Sequence, residues 1–391
     1  MLSEQEKVFY TMTNTKVSVI LPSYNVAAYI RETLLSAAGQ TLAGLEIICV
    51  DAGSSDGTRE IIRDFAASSD ACRHGIVIID SDKKSYGHQI NLGIGAAHGE
   101  YIAILETDDI AAPGMYESLY ALGERTGADV VKSTYFDYFG EAGGQTDIGT
   151  FRACDGDGTG RDRYTIPGRA SVSRLAAITA PAETFVIEEC PELLLHHPSV
   201  WSALYRKDYL ERCHIRMPEL PGAGWADNPF MLESLLAAER ITYTPKAWYY
   251  YRKDNPSSST AMKDCSMPFL RIADMRAVLE RYAAREGPRR ISQEAAESIA
   301  RTIDHRALRY AADALSSPAY DEERDSALIR QTLASVPESY LSDAHVTGAE
   351  RTAFNHFMGK NISESPAHML ASIAYKVRYG LAYLKNTSGK G

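Results

Sequence analysis

Tyr101-Ile102-Ala103-Ile104-Leu105-Glu106-Thr107-Asp108-Asp109 is the stretch whose reading decides the fold. Its first five residues form a short apolar run, which reads as a buried strand. Three carboxylates follow at once, just past the C-terminal end of that strand. In an open α/β sheet, the crevice outside the strand ends is where side chains from several units converge on a ligand. Carboxylates crowded there repel one another, so a compensating cation is expected. A hard divalent ion, Mn²⁺ or Mg²⁺, is the natural one, since it takes one or two carboxylates and fills its shell with water and phosphate oxygens. The bland reading of the same acids is a solvated turn that caps the helix beginning near Pro113.

Working upstream, short β-branched runs alternate with amphipathic stretches, the pattern of a parallel sheet with crossover helices. Strands are expected at Val17 to Leu21, Glu46 to Asp51 and Gly75 to Ile79. Helices are expected at Ala27 to Ala38, with Ile30, Leu34, Leu35 and Ala38 on one face, at Thr58 to Ala67, and at about Tyr86 to Ala97. A second acid, Asp51, stands at the end of the second strand, followed by Ala52-Gly53-Ser54-Ser55-Asp56-Gly57-Thr58. That turn suits a ligand approaching the backbone, and it equally suits the join of a strand to a helix.

Downstream, Val130 to Tyr135 reads as a further strand. Gly140 to Gly168 is rich in Gly, Asp and Thr and reads as an exposed excursion. Within it, Asp155-Gly156-Asp157-Gly158-Thr159-Gly160 imitates the start of a calcium loop, but Ile166 stands where the bidentate Glu is required. From Pro268 to Leu315 the pattern is helical, with Ile291, Ala295, Ile299, Ile303 and Ala307 marking a buried face. From Met369 to Leu384 an apolar stripe faces a stripe of Tyr375, Tyr379 and Tyr383, with basic residues nearby. The stretch 369–385 suits either a terminal helix packed between others or a peripheral contact with a membrane interface.

Formal charge is 41 minus 51, or -10, over 391 residues, which gives no electrostatic footprint for nucleic acid. The six cysteines are scattered without a C-x-x-C clip, so reduced thiols are expected. Met1 to Lys16 has no apolar signal core, and no run approaches the roughly 18 to 20 apolar residues of a membrane span. The expectation is a cytoplasmic protein, peripheral at the inner membrane face if the tail binds there. Oligomeric state is not legible.

Five pieces, in order and spacing, resemble the family 2 glycosyltransferases, inverting enzymes of the GT-A fold: Val17-Ser18-Val19-Ile20-Leu21-Pro22-Ser23-Tyr24-Asn25, Val50-Asp51-Ala52-Gly53-Ser54-Ser55-Asp56-Gly57-Thr58, Asn91-Leu92-Gly93, Gly99-Glu100-Tyr101-Ile102 and Glu106-Thr107-Asp108-Asp109. The resemblance runs from Val17 to Tyr138 and more loosely to Thr260. It implies an α/β GT-A domain, an open mixed sheet like that of nucleotide-diphospho-sugar transferases, with 16–140 as the donor half, 141–262 as the acceptor-side half and 263–391 as a helical C-terminal region. It also implies that Pro22, Tyr24, Asn25 and Asp51 border the nucleotide, that Asn91 and Glu106 lie in the nucleotide-sugar site, and that Asp108 and Asp109 hold ribose and metal, with Asp109 the principal ligand. Trp225-Ala226-Asp227-Asn228-Pro229-Phe230 resembles the family's second acidic motif, which makes Asp227 the general base, although Ala226 replaces the usual acidic neighbour. Arg252, after Tyr249-Tyr250-Tyr251, would reach the diphosphate, as a guanidinium fork suits phosphate oxygens.

Two departures from the family pattern bear on the donor: Ala52 replaces a second acid and Ile90 replaces an Arg. Lys84, His88 and Gln89 are the neighbours that could substitute for the missing Arg, and a solvated helix start explains them equally well. The function implied is transfer of a sugar from a nucleotide-diphosphate sugar to a glycan or lipid-linked acceptor hydroxyl, in surface polysaccharide, capsule or lipopolysaccharide synthesis. The rival is a catalytically inactive scaffold on the same fold. A processive synthase would carry a Gln-x-x-Arg-Trp signature, a nucleotidyltransferase would need a glycine- and arginine-rich first loop, and a dinucleotide-binding oxidoreductase needs G-x-G-x-x-G after the first strand. None of the three is present.

Overall fold

The structure is a computed structural model, and it describes residues 15–68, 74–140, 147–152, 163–256, 258, 264–284 and 286–360. The calcium-like run at 155–160 and the tail at 369–385 lie outside the described residues. The chain divides into two compact units, residues 1–258 with 284–291, and residues 259–283 with 292–391.

The first unit is built on one mixed sheet. Strands β1 (Val17–Ser23), β2 (Leu45–Asp51), β3 (Gly75–Asp80), β4 (Tyr101–Ile104), β5 (Ile110–Ala111) and β6 (Val130–Phe139) follow in chain order. They are joined by helices α1 (Ile30–Ala38), α2 (Thr58–Ala67), α3 (Tyr86–Ala96) and α4 (Met115–Thr126). Every residue of β1, β2 and β4 is buried, as strands covered by helices on both faces require. Apart from β5, for which no strand was expected, each of these elements falls within a few residues of its expected position.

A hairpin of β7 (Asp147–Arg152) and β8 (Arg163–Pro167) follows, standing apart from the main sheet, and then β9 (Arg169–Val172), β10 (Ala203–Arg206) and β11 (Ile241–Arg252). The main sheet runs β3-β2-β1-β4-β10-β6-β11-β5, with β9 on β6. β10 is antiparallel to both its neighbours, β4 and β6, while β11 lies parallel to β6. Consequently the C-terminal ends of β1, β2, β4, β6 and β11 and the N-terminal end of β10 open onto one rim.

Two further helices follow: α5 (Lys207–Arg212) after β10, at the end of the sheet opposite that rim, and α6 (Asp227–Ala237), whose first residue is Asp227. The segment leading into α6 is stapled to the start of α3. Tyr86 N donates to Gly222 O and Gly222 N to Lys84 O, both at 2.8 Å. Gly87 permits this approach, since a Cβ there would stand 2.0 Å from the Pro218 carbonyl oxygen.

The second unit is helical: α7 (Met267–Ala283), α8 (Gln293–Ser316), α9 (Glu322–Leu333) and α10 (Gly348–Phe357), with α8 packed against α7, α9 and α10. Ile299, Ile303 and Ala307 of the expected stripe are fully buried. Ser292, Asp321 and Thr347 cap the starts of α8, α9 and α10 by accepting backbone N–H bonds, which satisfies donors the helices leave open. Among the described residues no helix is long and apolar enough to cross a membrane. Cys49, Cys190, Cys213 and Cys265 are free thiols.

Candidate active site at the sheet rim

The loops after β1 and β2 are tied to each other. Asn25, at φ +53°, accepts from Ser55 N through Oδ1 at 2.9 Å, and its own N donates to Ser54 Oγ at 3.0 Å. Val26 N donates to Thr58 Oγ1 at 2.8 Å and Ala27 N to Asp56 Oδ2 at 3.0 Å. Gly57 turns the chain into α2 at φ +96°, a conformation open to glycine at little cost. Asp51 is 0 % exposed, and its carboxylate accepts from Gly53 N, Ser54 N and Ser54 Oγ at 3.1, 3.1 and 2.5 Å. Its oxygens therefore shape the loop rather than project into the rim.

Buried Gln89, on α3, ties the two strand ends together by donating to Ser23 O at 2.8 Å and Val50 O at 2.7 Å. The Pro22 carbonyl accepts from Thr107 Oγ1 at 2.9 Å, so the acidic loop is anchored on β1. Tyr24 is 42 % exposed at the rim, where Lys84 Nζ donates to its hydroxyl at 2.9 Å. His88 bridges Asp82 and Glu219 at 2.7 and 2.9 Å and belongs to the staple between α3 and the segment before α6. Asn91 lies in the same staple: its amide bonds both the N–H and the carbonyl of Met217, at 3.0 and 2.8 Å, and Glu219 at 3.2 Å. With Gln89, His88 and Asn91 committed in this way, Lys84 is the cation that remains at the rim among the three expected substitutes.

The acidic loop separates its carboxylates by role. Asp109 is 0 % exposed and accepts from Tyr249 Oη at 2.7 Å and from Arg252 N at 2.7 Å, one bond to each oxygen. Burial pushes its pKa well above the ordinary range, with Asp108 adding to the rise. Such a group holds β11 to the loop, with both oxygens engaged by that strand. Asp108 is half-buried; one carboxylate oxygen accepts from Asn255 Nδ2 at 2.7 Å. Glu106, also half-buried, accepts from Tyr86 Oη at 2.5 Å. Burial pushes the Glu106 carboxyl up to about 8, opposed by the Tyr86 bond and reinforced by Asp108 and Asp227.

Asp227 begins α6 and is half-buried, with Asn228 Nδ2 donating to its Oδ1 at 3.1 Å. Its charge acts on Glu106, Tyr86 and Tyr205, which places it on the same rim as the acidic loop. Trp225, just before it, sits at φ +54°, strained for a bulky residue and a sign that the approach to α6 is fixed by its surroundings.

Arg252 is a brace. Its guanidinium donates to Asp108 O at 2.7 Å, pairs with Glu32 at 2.6 Å and Asp254 at 3.6 Å, and lies over the rings of Tyr29 and Tyr138. The expected reach to a diphosphate aside, its hydrogen bonds in the structure go to the acidic loop and to Glu32 of α1. The residues that sequence reasoning missed are Tyr86, Tyr249 and Asn255, which hold Glu106, Asp109 and Asp108. The run Tyr249-Tyr250-Tyr251 on a strand was the available signal, since alternate residues of a buried strand end must find partners for their hydroxyls.

Among the described residues no three His, Cys, Asp or Glu side chains form a group able to hold a metal ion by themselves. A cation here would complete its shell from a ligand, the usual manner of Mg²⁺ with phosphates.

Comparison with known proteins agrees with this geometry. The uncharacterized glycosyltransferase EpsJ of Bacillus subtilis is 29% identical over 246 residues, 62% of each chain, so the chain spans less than two thirds of that relative's length. The succinoglycan biosynthesis protein ExoO of Rhizobium meliloti is 25% identical over 327 residues, 84% of this chain and 81% of that protein. Among solved structures, S. aureus TarS residues 1–349, in complex with UDP-GlcNAc, superposes with a TM-score of 0.63 at 19% identity, covering 88% of this chain and 93% of that one. The fold is thus of the GT-A type with a helical C-terminal region. Residues 18–212 match the sequence profile described as Glycosyl transferase family 2, and through that stretch the chain belongs to this family.

Proposed function

We propose that the protein is an inverting glycosyltransferase that moves a sugar from a nucleotide-diphosphate donor to an acceptor hydroxyl in the synthesis of a surface polysaccharide. The observation that carries this reading is the rim itself: half-buried Glu106 and Asp108 after β4 share one electrostatic field with Asp227 at the start of α6. Names of relatives support the process, since ExoO is a succinoglycan biosynthesis protein and TarS was solved with UDP and UDP-GlcNAc. On this reading 16–140 is the donor half and 141–262 the acceptor-side half, with the acceptor a glycan or a lipid-linked glycan at the cytoplasmic membrane face.

Asp108, with Glu106 beside it, would hold Mn²⁺ or Mg²⁺, and the ion would neutralise charge gathering on the departing nucleoside diphosphate. A chain that buries carboxylates of raised pKa next to one another fits such a cation. Lys84, hydrogen-bonded to Tyr24 at the rim, adds positive charge on the side of the β1 and β2 loops. The loops at Pro22 to Asn25 and Asp51 to Thr58, locked to each other, offer backbone and the Tyr24 ring to the nucleotide. Asp227 accepts the proton of the acceptor hydroxyl as that oxygen attacks the anomeric carbon, the work of a general base within hydrogen-bond reach. Base and leaving group act from opposite faces of that carbon, so the configuration inverts.

Thermal-shift binding of nucleoside diphosphates with and without Mn²⁺ tests the reading, because a ligand of the native state raises its melting temperature. One nucleotide should give a metal-dependent shift that Asp108→Ala removes. No shift with any nucleotide would return the chain to the scaffold reading, and a product retaining the donor's anomeric configuration would overturn inversion.

A further inference from the structure

A general base works only when its oxygen is held in place, yet Asp227 follows a segment, 213–226, that forms no helix or strand. α6 opens without a side-chain cap, which leaves the segment before it to fix its first residue. Gly222, Gly224 and Trp225 lie there at φ +65°, +58° and +54°. Such a run of left-handed residues persists only where the surroundings determine it.

The surroundings are residues 83–91, at and just before the start of α3. Asn91 grips Met217 much as a neighbouring strand would: its Oδ1 accepts from Met217 N at 3.0 Å and its Nδ2 donates to Met217 O at 2.8 Å. Met217 itself is buried. Asn91 Nδ2 also reaches Glu219 Oε1 at 3.2 Å, while Glu219 Oε2 meets Lys83 Nζ at 3.0 Å and His88 Nδ1 at 2.9 Å. Lys83 and Asn91 hold the Glu219 carboxyl down at about 2, so this partner stays ionised from mild acid upward. Asn is a poor residue for the interior of a helix, and its place within α3 is accounted for by these bonds across 126 and 128 residues.

The same helix reaches the acidic loop. Tyr86, its first residue, donates through its hydroxyl to Glu106 at 2.5 Å, and its N–H donates to Gly222 O at 2.8 Å. One rigid element therefore touches both the acids after β4 and the segment that ends in Asp227.

We propose that Asn91 is the positioning residue for Asp227: by clasping Met217 and Glu219 to α3 it fixes the approach to α6, and so the spacing between the general base and the acids of the donor side. This rests on the transferase reading, in which Asp227 receives the acceptor's proton. On this proposal Asn91 acts through the base and touches no nucleotide.

The test sets donor binding against turnover. Binding of nucleoside diphosphates in Mn²⁺ reads the donor side alone, while release of nucleoside diphosphate from a panel of sugar nucleotides, with water or p-nitrophenyl glycosides as acceptor, also requires the base. Asn91→Ala should leave the nucleoside diphosphate Kd within about twofold of wild type and lower kcat by about 10- to 100-fold, the scale on which a misplaced catalytic group costs rate. Because that loss runs through the base, Asp227→Asn should lower kcat by a smaller factor in the Asn91→Ala background than in wild type. A loss of stability alone does not produce this coupling. Glu219→Gln, which keeps an acceptor for Asn91, should lower kcat less than Glu219→Ala, and this pair serves as the measurement if Asn91→Ala does not fold. An unchanged kcat in a folded variant, nucleotide binding lost in step with kcat, or losses that simply multiply with Asp227→Asn would overturn the proposal. Wild type that releases nucleoside diphosphate from no sugar nucleotide would instead overturn the transferase reading, and the role of Asn91 with it.

Discussion

The loop after β2 and the loop after β4 look alike in sequence, each an acid at the end of a buried strand followed by polar residues. In the fold they differ in where the acid finds its partners. Asp51 takes three hydrogen bonds from residues two and three positions ahead, so this acid is satisfied within its own loop. Glu106, Asp108 and Asp109 take theirs from Tyr86, Asn255, Tyr249 and Arg252, which lie 20 to 147 residues away. An acid satisfied locally is a structural device, whereas acids satisfied from afar are placed, and placement at a rim is what a reaction centre demands.

The contrast can be broken at graded cost. The largest effect is expected at Asp227, the acid that faces the distant set: Asp227→Asn should lower kcat by about 10²- to 10⁴-fold with melting temperature little changed, read from initial rates of sugar transfer. Next comes Tyr249→Phe, which strips the hydroxyl that serves both Asp109 and the Glu106 N–H. Leaving a buried carboxylate oxygen without its donor should cost about 1–3 kcal/mol in urea unfolding and weaken metal-dependent nucleotide binding. Asp51→Asn keeps one acceptor for its loop and should cost only about 1 kcal/mol by the same measurement. If it abolished nucleotide binding while leaving the melting temperature intact, Asp51 would be a ligand contact after all, and the distinction between the two loops would fail.

A separate test is read against pH and turns on Lys132, buried on β6. Lys132 carries a folded-state pKa of about 7, below its value in the unfolded chain, because burial penalises the charge. Between about pH 7 and 10 the unfolded chain therefore holds a proton that the folded one has released, and stability rises with pH across that window. Wild type should gain on Lys132→Met as pH rises through it, by no more than about 1.4 kcal/mol per pH unit. A stability difference flat from pH 7 to 10 would mean that the group keeps an ordinary pKa.

Local chemistry explains how much of this was legible. Strand and helix periods placed β1 to β4 and α1 to α3 to within a few residues, because each of those elements buries a face that its own sequence declares. The turn at Asp51 to Thr58 was readable for the same reason: Gly53, Ser54 and Gly57 are the residues such a turn needs. The order of strands beyond β4 was not readable, since β10 is four residues long and pairs with partners about 70 and 100 positions away. Nor was the division between Asp108 and Asp109, adjacent in sequence yet one half-buried and one sealed, because only the arrival of β11 tells them apart. Nor were the partners of Asn91 and Arg252 readable, since Met217 and Glu32 lie 126 and 220 residues distant.

Strand β10 runs against its neighbours, and this reversal has an architectural result. In a wholly parallel sheet a strand can offer the rim only the connection that leaves it; a reversed strand offers the connection that enters it. The segment from Ser173 to Ser202 is such an entrance, and it is long, irregular and anchored at the far end by a few bonds. Exchanging it between related proteins would replace one wall of the rim while leaving every strand in register; on the proposed reading, the choice of what is built onto can then drift independently of the choice of what is built from.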